Sequence, residues 1–251
     1  MGDMPYSQRH ANLFDGVIDR VNAERPAFVV HVGDITSGRG PCEDAWFEDR
    51  KRQFARIEAP FVIVPGDNDW TDCRRTGFDP MERLAKWRSL FCVPVPKLAL
   101  ERQRGPYCEH VRWIAGDLVF VGLNVPGGNN NLNDDPVEYG ERMGAAFRWL
   151  DESAALARTR AGLVILIQAN PFLKPRLGGA NGYDGLLARL RRLGEEMPGR
   201  VLLVNGDTHH FRDDEPLPGV RRTEVFGWPD IRWSKLRWDG KAFAVEAMPP
   251  P

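Results

Sequence analysis

Short apolar runs alternate with amphipathic stretches along most of the chain. Two apolar runs rich in β-branched residues, 28–34 and 61–67, each end at Gly-Asp and predict buried strands. An amphipathic helix is predicted between them, over residues 42–57. Because parallel strands joined by one crossover helix have adjacent carboxyl ends, the pattern predicts Asp34 and Asp67 at one edge of a sheet.

The same alternation continues to the end of the chain. Further helices are predicted at residues 13–22, 80–91, 137–157 and 186–193. Further strands are predicted at residues 110–115, 118–124, 163–168 and 201–207, and a closing antiparallel meander at 223–226, 231–238 and 242–247. The polar loop 127–135 is predicted to form the rim of a site. This alternation predicts a layered α/β fold, and the lack of a linker or internal repeat predicts a single domain over residues 1–251.

Composition and charge limit the partners of the chain. It has 251 residues, 42% of them hydrophobic, which is enough for one large core. Its 34 basic and 35 acidic residues leave a formal charge of -1, so we expect no nucleic-acid polymer as a partner. The chain has no apolar run of about 18 residues, and its first ten residues lack the apolar core of a signal peptide. We therefore expect no membrane span and no export signal, and the sequence predicts no oligomeric state.

The four cysteines are too few for a disulfide scaffold and are not spaced in the close pairs that structural zinc needs. A free cysteine behaves as a small hydrophobic residue, so buried free thiols are the favoured interpretation. A disulfide between Cys42 and Cys73 is the alternative. His31 lies within an apolar run and is interpreted as a core histidine.

Four predicted strands are followed by polar side chains. Glycine allows a sharp turn after a strand, and Asp, Asn and His supply the oxygen and nitrogen ligands that divalent cations take. One Gly-Asp alone is a common turn. The convergence of four such ends predicts a metal site, and their sequences are Gly33-Asp34, Gly66-Asp-Asn-Asp69, Gln168-Ala-Asn170 and Gly206-Asp-Thr-His-His210.

The order and spacing of these segments resemble the calcineurin-like metallophosphoesterases. That family carries Asp-x-His, Gly-Asp, Gly-Asn-His-Asp/Glu, a lone His and Gly-His-x-His in this order. The altered segments 66–73, 168–171 and 206–209 are more specifically similar to a bacterial subgroup of the family. The resemblance covers almost the whole chain and implies a layered β-sandwich of mixed sheets flanked by helices. It leaves the bacterial cytoplasm and the periplasm open as locations.

The resemblance also implies a set of site residues. Asp34 matches the bridging aspartate and Asn68 is similar to the ligand asparagine, whereas Pro5 stands where the first motif has its histidine. The implied metal ligands are Asp3, Asp34, Asn68, Gln168, Asp207 and His209. Asp69, which replaces the histidine that protonates the leaving group, and His210 are the implied proton donors. The candidate substrate-binding residues are Arg74, Trp70 and Asn170.

The implied function is hydrolysis of a phosphomonoester or phosphodiester in a small phosphorylated substrate. It would use two divalent metal ions, and oxygen ligands in place of imidazoles favour Mn²⁺, Mg²⁺, Ca²⁺ or iron over Zn²⁺. The alternative is a catalytically inactive binding or interaction domain on the same fold, which the lost imidazoles favour.

The beginning of the chain departs from the family pattern. Only Met1 and Gly2 precede Asp3, where the family has an apolar first strand. We therefore expect this strand to be truncated and Asp3 to be frayed, as terminal residues usually are.

Overall fold

The computed structural model describes residues 1–173 and 179–251. Its helices are α1 (Gln8–Glu24), α2 (Asp44–Phe54), α3 (Pro80–Phe91), the single turn α4 (Gly127–Asn130), α5 (Pro136–Ala157) and α6 (Asp184–Glu196), with a 3₁₀ helix at Thr71–Thr76. Its strands are β1 (Val29–His31), β2 (Phe61–Ile63), β3 (Glu101–Arg102), β4 (Val111–Ala115), β5 (Leu118–Gly122), β6 (Gly162–Leu166), β7 (Val201–Asn205), β8 (Arg212–Leu217), β9 (Val220–Glu224), β10 (Ser234–Trp238) and β11 (Phe243–Ala247).

Side-chain caps fix the beginnings of three helices. Ser7 accepts a hydrogen bond from the amide of His10 at the start of α1, at 3.3 Å. Asp79 and Asp135 accept from the third residue of α3 and α5, and in both cases proline occupies the first helical position. These caps satisfy amide donors that no residue within the helix can reach, so the local sequence determines where the helices begin.

The strands form three sheets. The largest is mixed and has the order β3-β4-β5-β6-β7-β9-β8, in which β5, β6, β7 and β9 run parallel. Strands β1 and β2 form a parallel pair, and β10 and β11 form an antiparallel pair. The predicted closing meander is therefore right for its last two strands, which form the β10–β11 pair, and wrong for its first: β9 pairs in parallel with β7, and the unpredicted β8 lies on the other side of β9. The side chains of β8 are mostly polar and exposed, which removed the apolar signal of a strand.

Three clusters of buried hydrophobic side chains lie between the layers of the fold. One packs α5 and α6 against the large sheet, and another packs α1, α2 and α3 against the β1–β2 pair. The third cluster lies between the two sheets and includes Val62 and Val64 on one side and Phe120 and Val164 on the other. The layers therefore run helix, sheet, sheet, helix, which confirms the predicted sandwich of mixed sheets flanked by helices.

The first three residues lie beside β1. The Met1 amine donates to the Val30 carbonyl at 3.1 Å, and the Asp3 amide donates to the Gly33 carbonyl at 2.9 Å. The Asp3 side chain has no exposed surface. The prediction of a frayed Asp3 is wrong, because backbone hydrogen bonds to a buried strand hold this segment.

All four cysteines form disulfides, so the expectation of free thiols is wrong. Cys42 bonds to Cys73 and Cys92 bonds to Cys108. The Cys42–Cys73 bond is the alternative that the sequence analysis left open, whereas the Cys92–Cys108 bond was not predicted. His31 is buried, and its Nε2 atom lies 2.8 Å from the Met4 carbonyl, as a core histidine requires. Within residues 1–173 and 179–251, no helix is long and apolar enough to cross a membrane.

Candidate functional site

The polar residues converge at the carboxyl ends of four strands. Asp34 follows β1 and Asp67 follows β2, and these strands are parallel neighbours. Gln168 follows β6 and Asp207 follows β7, and these strands are parallel neighbours in the other sheet. The site therefore spans the same end of both sheets in the sandwich, as the convergence of strand ends predicted.

Asp34 connects three parts of this site. Its Oδ1 accepts a hydrogen bond from the Asn68 amide at 3.0 Å. Its Oδ2 accepts from Gln168 Nε2 at 3.0 Å and from the Tyr6 hydroxyl at 3.3 Å. The side chain is almost fully buried, and burial and then the neighbouring carboxylates raise the pKa of Asp34 well above its usual value.

Tyr6 is a site residue that the sequence analysis missed. Its hydroxyl lies 3.0 Å from His209 Nε2 and accepts from Asn68 Nδ2 at 3.3 Å. Because a phenol has one proton, donation to Asp34 leaves the oxygen free to accept from His209 and Asn68. One sequence signal was available. Proline occupies the position of the motif histidine, and the next residue, Tyr6, has a polar side chain long enough to reach the site.

Asp3 contacts the loop that follows β7, at Asp207 and His209. Both of its carboxylate oxygens accept from the Asp207 amide at 3.1 Å, and its Oδ1 lies 4.0 Å from His209 Nε2. A side chain at Gly206 would collide with this carboxylate, so only glycine fits there. Burial is the main cause that raises the pKa of Asp3 well above its usual value.

Asp67 and Asp207 face one small space beside Gly127. A Cβ atom at Gly127 would lie 2.5 Å from Asp67 Oδ2 and 3.0 Å from Asp207 Oδ1. The second oxygen of Asp207 accepts from the Asn170 amide at 2.9 Å. Burial, followed by the Asp207 charge, raises the pKa of Asp67 to about 7, and burial raises the pKa of Asp207 to about 6. Two carboxylates from different sheets are thus held close together where each opposes ionisation of the other.

A second pair of oxygens faces the space beside Gly38. A Cβ atom there would lie 3.0 Å from Asn68 Oδ1 and 3.1 Å from Asp72 Oδ2. Burial, followed by the charge of Asp67, raises the pKa of Asp72 to about 7, although Asp72 forms an ion pair with Arg75. The sequence analysis did not include Asp72, whose position in a 3₁₀ helix gave no strand-end signal.

Asp69 supports the backbone of the site. Its carboxylate accepts from the amides of Asp34 at 3.0 Å, Gly66 at 2.8 Å and Ile35 at 2.8 Å. The side chain has no exposed surface. These bonds join the two Gly-Asp turns, and they occupy both oxygens, so Asp69 does not face a space where a leaving group would lie.

The predicted substrate-binding residues are not grouped at an opening. Trp70 has no exposed surface and packs under the Arg142 guanidinium, so it cannot line a pocket as predicted. Arg74 donates to Asn131 Oδ1 at 2.6 Å and pairs with Asp134 at 2.8 Å. Asn170 is buried and its Nδ2 donates to Glu224. His210, by contrast, is exposed next to His209.

Glu224 is a further residue that the sequence analysis missed. It has no exposed surface and accepts from Asn170 Nδ2 at 3.0 Å and from the Thr208 amide at 3.2 Å. It also forms an ion pair with Arg212. Glu224 thereby connects the loops that follow β6 and β7. A single glutamate at the end of an irregular strand gave no sequence signal for this role.

The side-chain arrangement is partly suited to metal ions. The space between Asp67 and Asp207 is lined by oxygens, as divalent cations require. Over the described residues, however, no three carboxylate or imidazole ligand atoms of this site lie within 4.8 Å of one another. The group that meets this distance is Cys92, Cys108 and Glu109, and its sulfurs are bonded to each other. A metal site here therefore needs ligands such as the amide oxygens of Asn68 and Gln168.

The fold is similar to that of several solved structures. A dimetal phosphatase from Danio rerio is 13% identical, with a TM-score of 0.58 and coverage of 98% of this chain and 90% of that protein. GAP50, the anchor in the inner membrane complex of Plasmodium, is 12% identical, with a TM-score of 0.57 and coverage of 98% and 78%. A putative 5'-nucleotidase from Staphylococcus aureus is 14% identical, with a TM-score of 0.55 and coverage of 98% and 52%.

These similarities establish the fold. The chain spans about half the length of the nucleotidase and 42% of the length of another matched structure. No curated protein sequence matches the chain. A family model described as calcineurin-like phosphoesterase matches residues 6–211, which is more than half of the chain. The chain therefore belongs to the calcineurin-like phosphoesterase family, which generally uses divalent metals.

Proposed function

We propose that this chain hydrolyses a phosphoester bond in a small phosphorylated substrate, using divalent cations held at the shared end of the two sheets. The observation that carries the proposal is the placement of the Asp67 and Asp207 carboxylates beside Gly127, close to Asp34. Such a concentration of buried carboxylates opposes its own ionisation, and a bound cation would remove that repulsion. The residues that would hold cations are Asp3, Asp34, Asp67, Gln168, Asp207 and His209.

Asp67 takes the ligand position that the sequence analysis gave to Asn68. Asp69 binds backbone amides, as a structural residue does, and Asp67 faces Asp207. Aligning the family order Gly-Asn-His-Asp/Glu with Gly66–Asp69 without an offset then places Asp67 at the asparagine and Asn68 at the histidine. The Asn68 amide oxygen, which faces the space beside Gly38, remains available as a further ligand.

The donor set favours hard cations. Aspartate replaces imidazole at position 207 and glutamine replaces it at position 168, so most available ligands are oxygens. Mg²⁺, Mn²⁺ and Ca²⁺ prefer such ligands, whereas zinc sites usually contain histidine or cysteine. We therefore propose that Mn²⁺, Mg²⁺, Ca²⁺ or iron is used in preference to Zn²⁺, with two ions in the active protein.

Cations bound here would neutralise phosphoryl charge and lower the pKa of a water molecule. The residues of the chain would orient the substrate. The Tyr6 hydroxyl donates to Asp34, and Asn68 Nδ2 donates to the Tyr6 hydroxyl, so these two neutral groups would orient a substrate beside Asp34. His210 is exposed at the rim and remains our candidate proton donor for the leaving group, whereas Asp69 is too enclosed for that role.

The test is metal uptake by the chelator-stripped protein, measured by calorimetry with Mn²⁺, Mg²⁺, Ca²⁺ and Zn²⁺. Hydrolysis of bis(p-nitrophenyl) phosphate and p-nitrophenyl phosphate is measured in parallel. Asp34→Asn is expected to abolish both uptake and hydrolysis while the protein stays folded. Asp79→Asn, at an exposed helix cap where asparagine also serves, is the matched control. Unchanged uptake in Asp34→Asn would refute this assignment.

A non-catalytic domain is the second candidate function. The observation in its favour is that both oxygens of Asp34 are already satisfied by Asn68, Gln168 and Tyr6. With these hydrogen bonds in place, the Asp34 carboxylate is stabilised without a bound cation. The matched Plasmodium protein is described as an anchor, which is consistent with a binding role on this fold. Absence of both uptake and turnover in the unaltered protein would favour this function.

A further inference from the structure

A cavity of about 350 Å³ lies beside the end of α2 and strand β2, and none of its lining residues belongs to the candidate metal site. Its walls are the last turn of α2, the segment 57–60, strand β2, and the end of α3 with the segment that follows it. This volume falls within the range of about 300–1,000 Å³ that is usual for small-molecule sites. The cavity is separate from the residues to which we assign phosphoester hydrolysis.

The body of the cavity is apolar. Phe54 and Phe91 are buried in its floor, and Phe61 packs beside Phe54 with ring centroids 5.0 Å apart. Val93 is more than one-third exposed at the opening. An aromatic wall with an apolar rim gains free energy when an apolar group of a ligand displaces water from it.

The charged groups of the cavity are mainly positive. Lys51 lies with Nζ 5.5 Å from the centre of the Phe91 ring, and Arg102 and Lys97 also line the cavity. Burial, followed by the charge of Arg102, lowers the pKa of Lys51. Glu58 is the carboxylate among the lining residues, and it is exposed.

The Arg102 side chain holds the wall of the cavity through hydrogen bonds to neutral backbone carbonyls, which do not neutralise its positive charge. Its guanidinium donates to the carbonyls of Cys108 at 2.7 Å, Phe91 at 2.9 Å and Val93 at 2.8 Å. The nearby Glu109 is committed to Arg88, with two hydrogen bonds at 2.8 and 2.6 Å. The cavity therefore combines a braced apolar wall with positive charge that neutral carbonyls leave uncompensated.

We propose that this cavity binds a small amphipathic anion, with an apolar or aromatic body against Phe54, Phe61 and Phe91 and a carboxylate near Lys51 and Arg102. Charge complementarity selects an anion over a cation of the same shape. The apolar walls select a ligand with a hydrocarbon body over a small inorganic anion.

The experiment is calorimetric titration of the whole chain with octanoate, and with octylammonium as a probe of similar shape and opposite charge. Saturable 1:1 binding of octanoate is expected, at least about tenfold tighter than binding of octylammonium. Lys51→Gln is expected to weaken octanoate binding about tenfold, or 1.4 kcal/mol. Lys241→Gln, which removes the same charge at an exposed position, is expected to leave it unchanged.

Val93→Glu provides a second variant at an exposed position, where a packing defect is not expected. The added negative charge should weaken octanoate binding as Lys51→Gln does. Three results would overturn the proposal: no saturable octanoate binding in the millimolar range, equal affinity for octylammonium, or no effect of either variant. Binding to anionic phosphatidylglycerol vesicles without binding to free octanoate would also overturn it. None of these readouts depends on phosphoester hydrolysis.

Discussion

Replacement of Asp69 distinguishes a structural role from a catalytic one. Its carboxylate accepts from the amides of Asp34, Ile35 and Gly66, and all three donors are buried. Each unsatisfied donor costs about 1 kcal/mol at the lower bound, so Asp69→Ala should lower the free energy of unfolding by at least about 3 kcal/mol. For a chain of this size that corresponds to a fall in Tm of about 6–12 °C.

Asp69→Asn should have a smaller effect. The amide oxygen can take the position that serves both Asp34 and Gly66, which leaves the Ile35 amide facing an NH₂ group. The expected loss is about 1–3 kcal/mol. Asp117→Ala is the control, because this exposed residue forms an ion pair at 3.4 Å and should contribute less than about 1 kcal/mol.

The assay is equilibrium urea unfolding at about pH 7.5, where Asp69 is ionised because burial raises its pKa only to about 6. Phosphodiester hydrolysis by the same variants is measured below the unfolding transition. If both Asp69 variants keep the unfolding free energy of the unaltered protein but lose turnover, the structural role is wrong and Asp69 is instead the acid that protonates the leaving group.

Three further perturbations test other parts of the structure. Tyr6→Phe removes a hydrogen bond to the Asp34 carboxylate that is worth about 1.5 kcal/mol, and it should lower kcat about tenfold while cation uptake is retained. Tyr107→Phe is the control, and an unchanged kcat in Tyr6→Phe would contradict a role for the hydroxyl. Burial lowers the pKa of His110 to about 4, so below pH 6.5 the unfolded chain binds a proton that the folded chain does not. The free energy of unfolding should therefore fall by about 1.6 kcal/mol between pH 6.5 and 5 relative to His110→Gln, and parallel pH profiles would count against this. The Cys42–Cys73 bond spans 31 residues, so the double Ser variant should lose about 2–4 kcal/mol, and dithiothreitol should destabilise the unaltered protein more than the variant.

The order of helices and strands could be predicted from sequence because the signals are local. The predicted bounds of α3 coincide with those observed, and Asp79 followed by Pro80 is a cap that needs no tertiary contact. The parallel pairing of β1 with β2 also followed from local pattern, because a single helix joins them. Strand β8 was missed because its polar side chains gave no apolar alternation. The single-domain prediction stays a prediction.

The candidate site was only partly predictable. Asp34, Asp207 and His209 are where the strand ends implied, because a parallel sheet aligns its carboxyl ends. Within Gly66–Asp69, the structure shows that Asp69 binds three backbone amides, which the sequence could not show, and the ligand role of Asp67 remains a proposal. The prediction of two metal ions and the proton-donor role of His210 remain proposals.

Sequence by itself determined the family, the layered α/β architecture and the set of polar strand ends, since each depends on residues close together in the chain. Tertiary structure decided the rest. It brought the Tyr6 hydroxyl to His209, 203 residues away, and it placed Glu224 between the loops after β6 and β7. It also paired all four cysteines. Such contacts join segments that are far apart in the chain and meet only when the layers pack together, so the pattern of one segment does not show them.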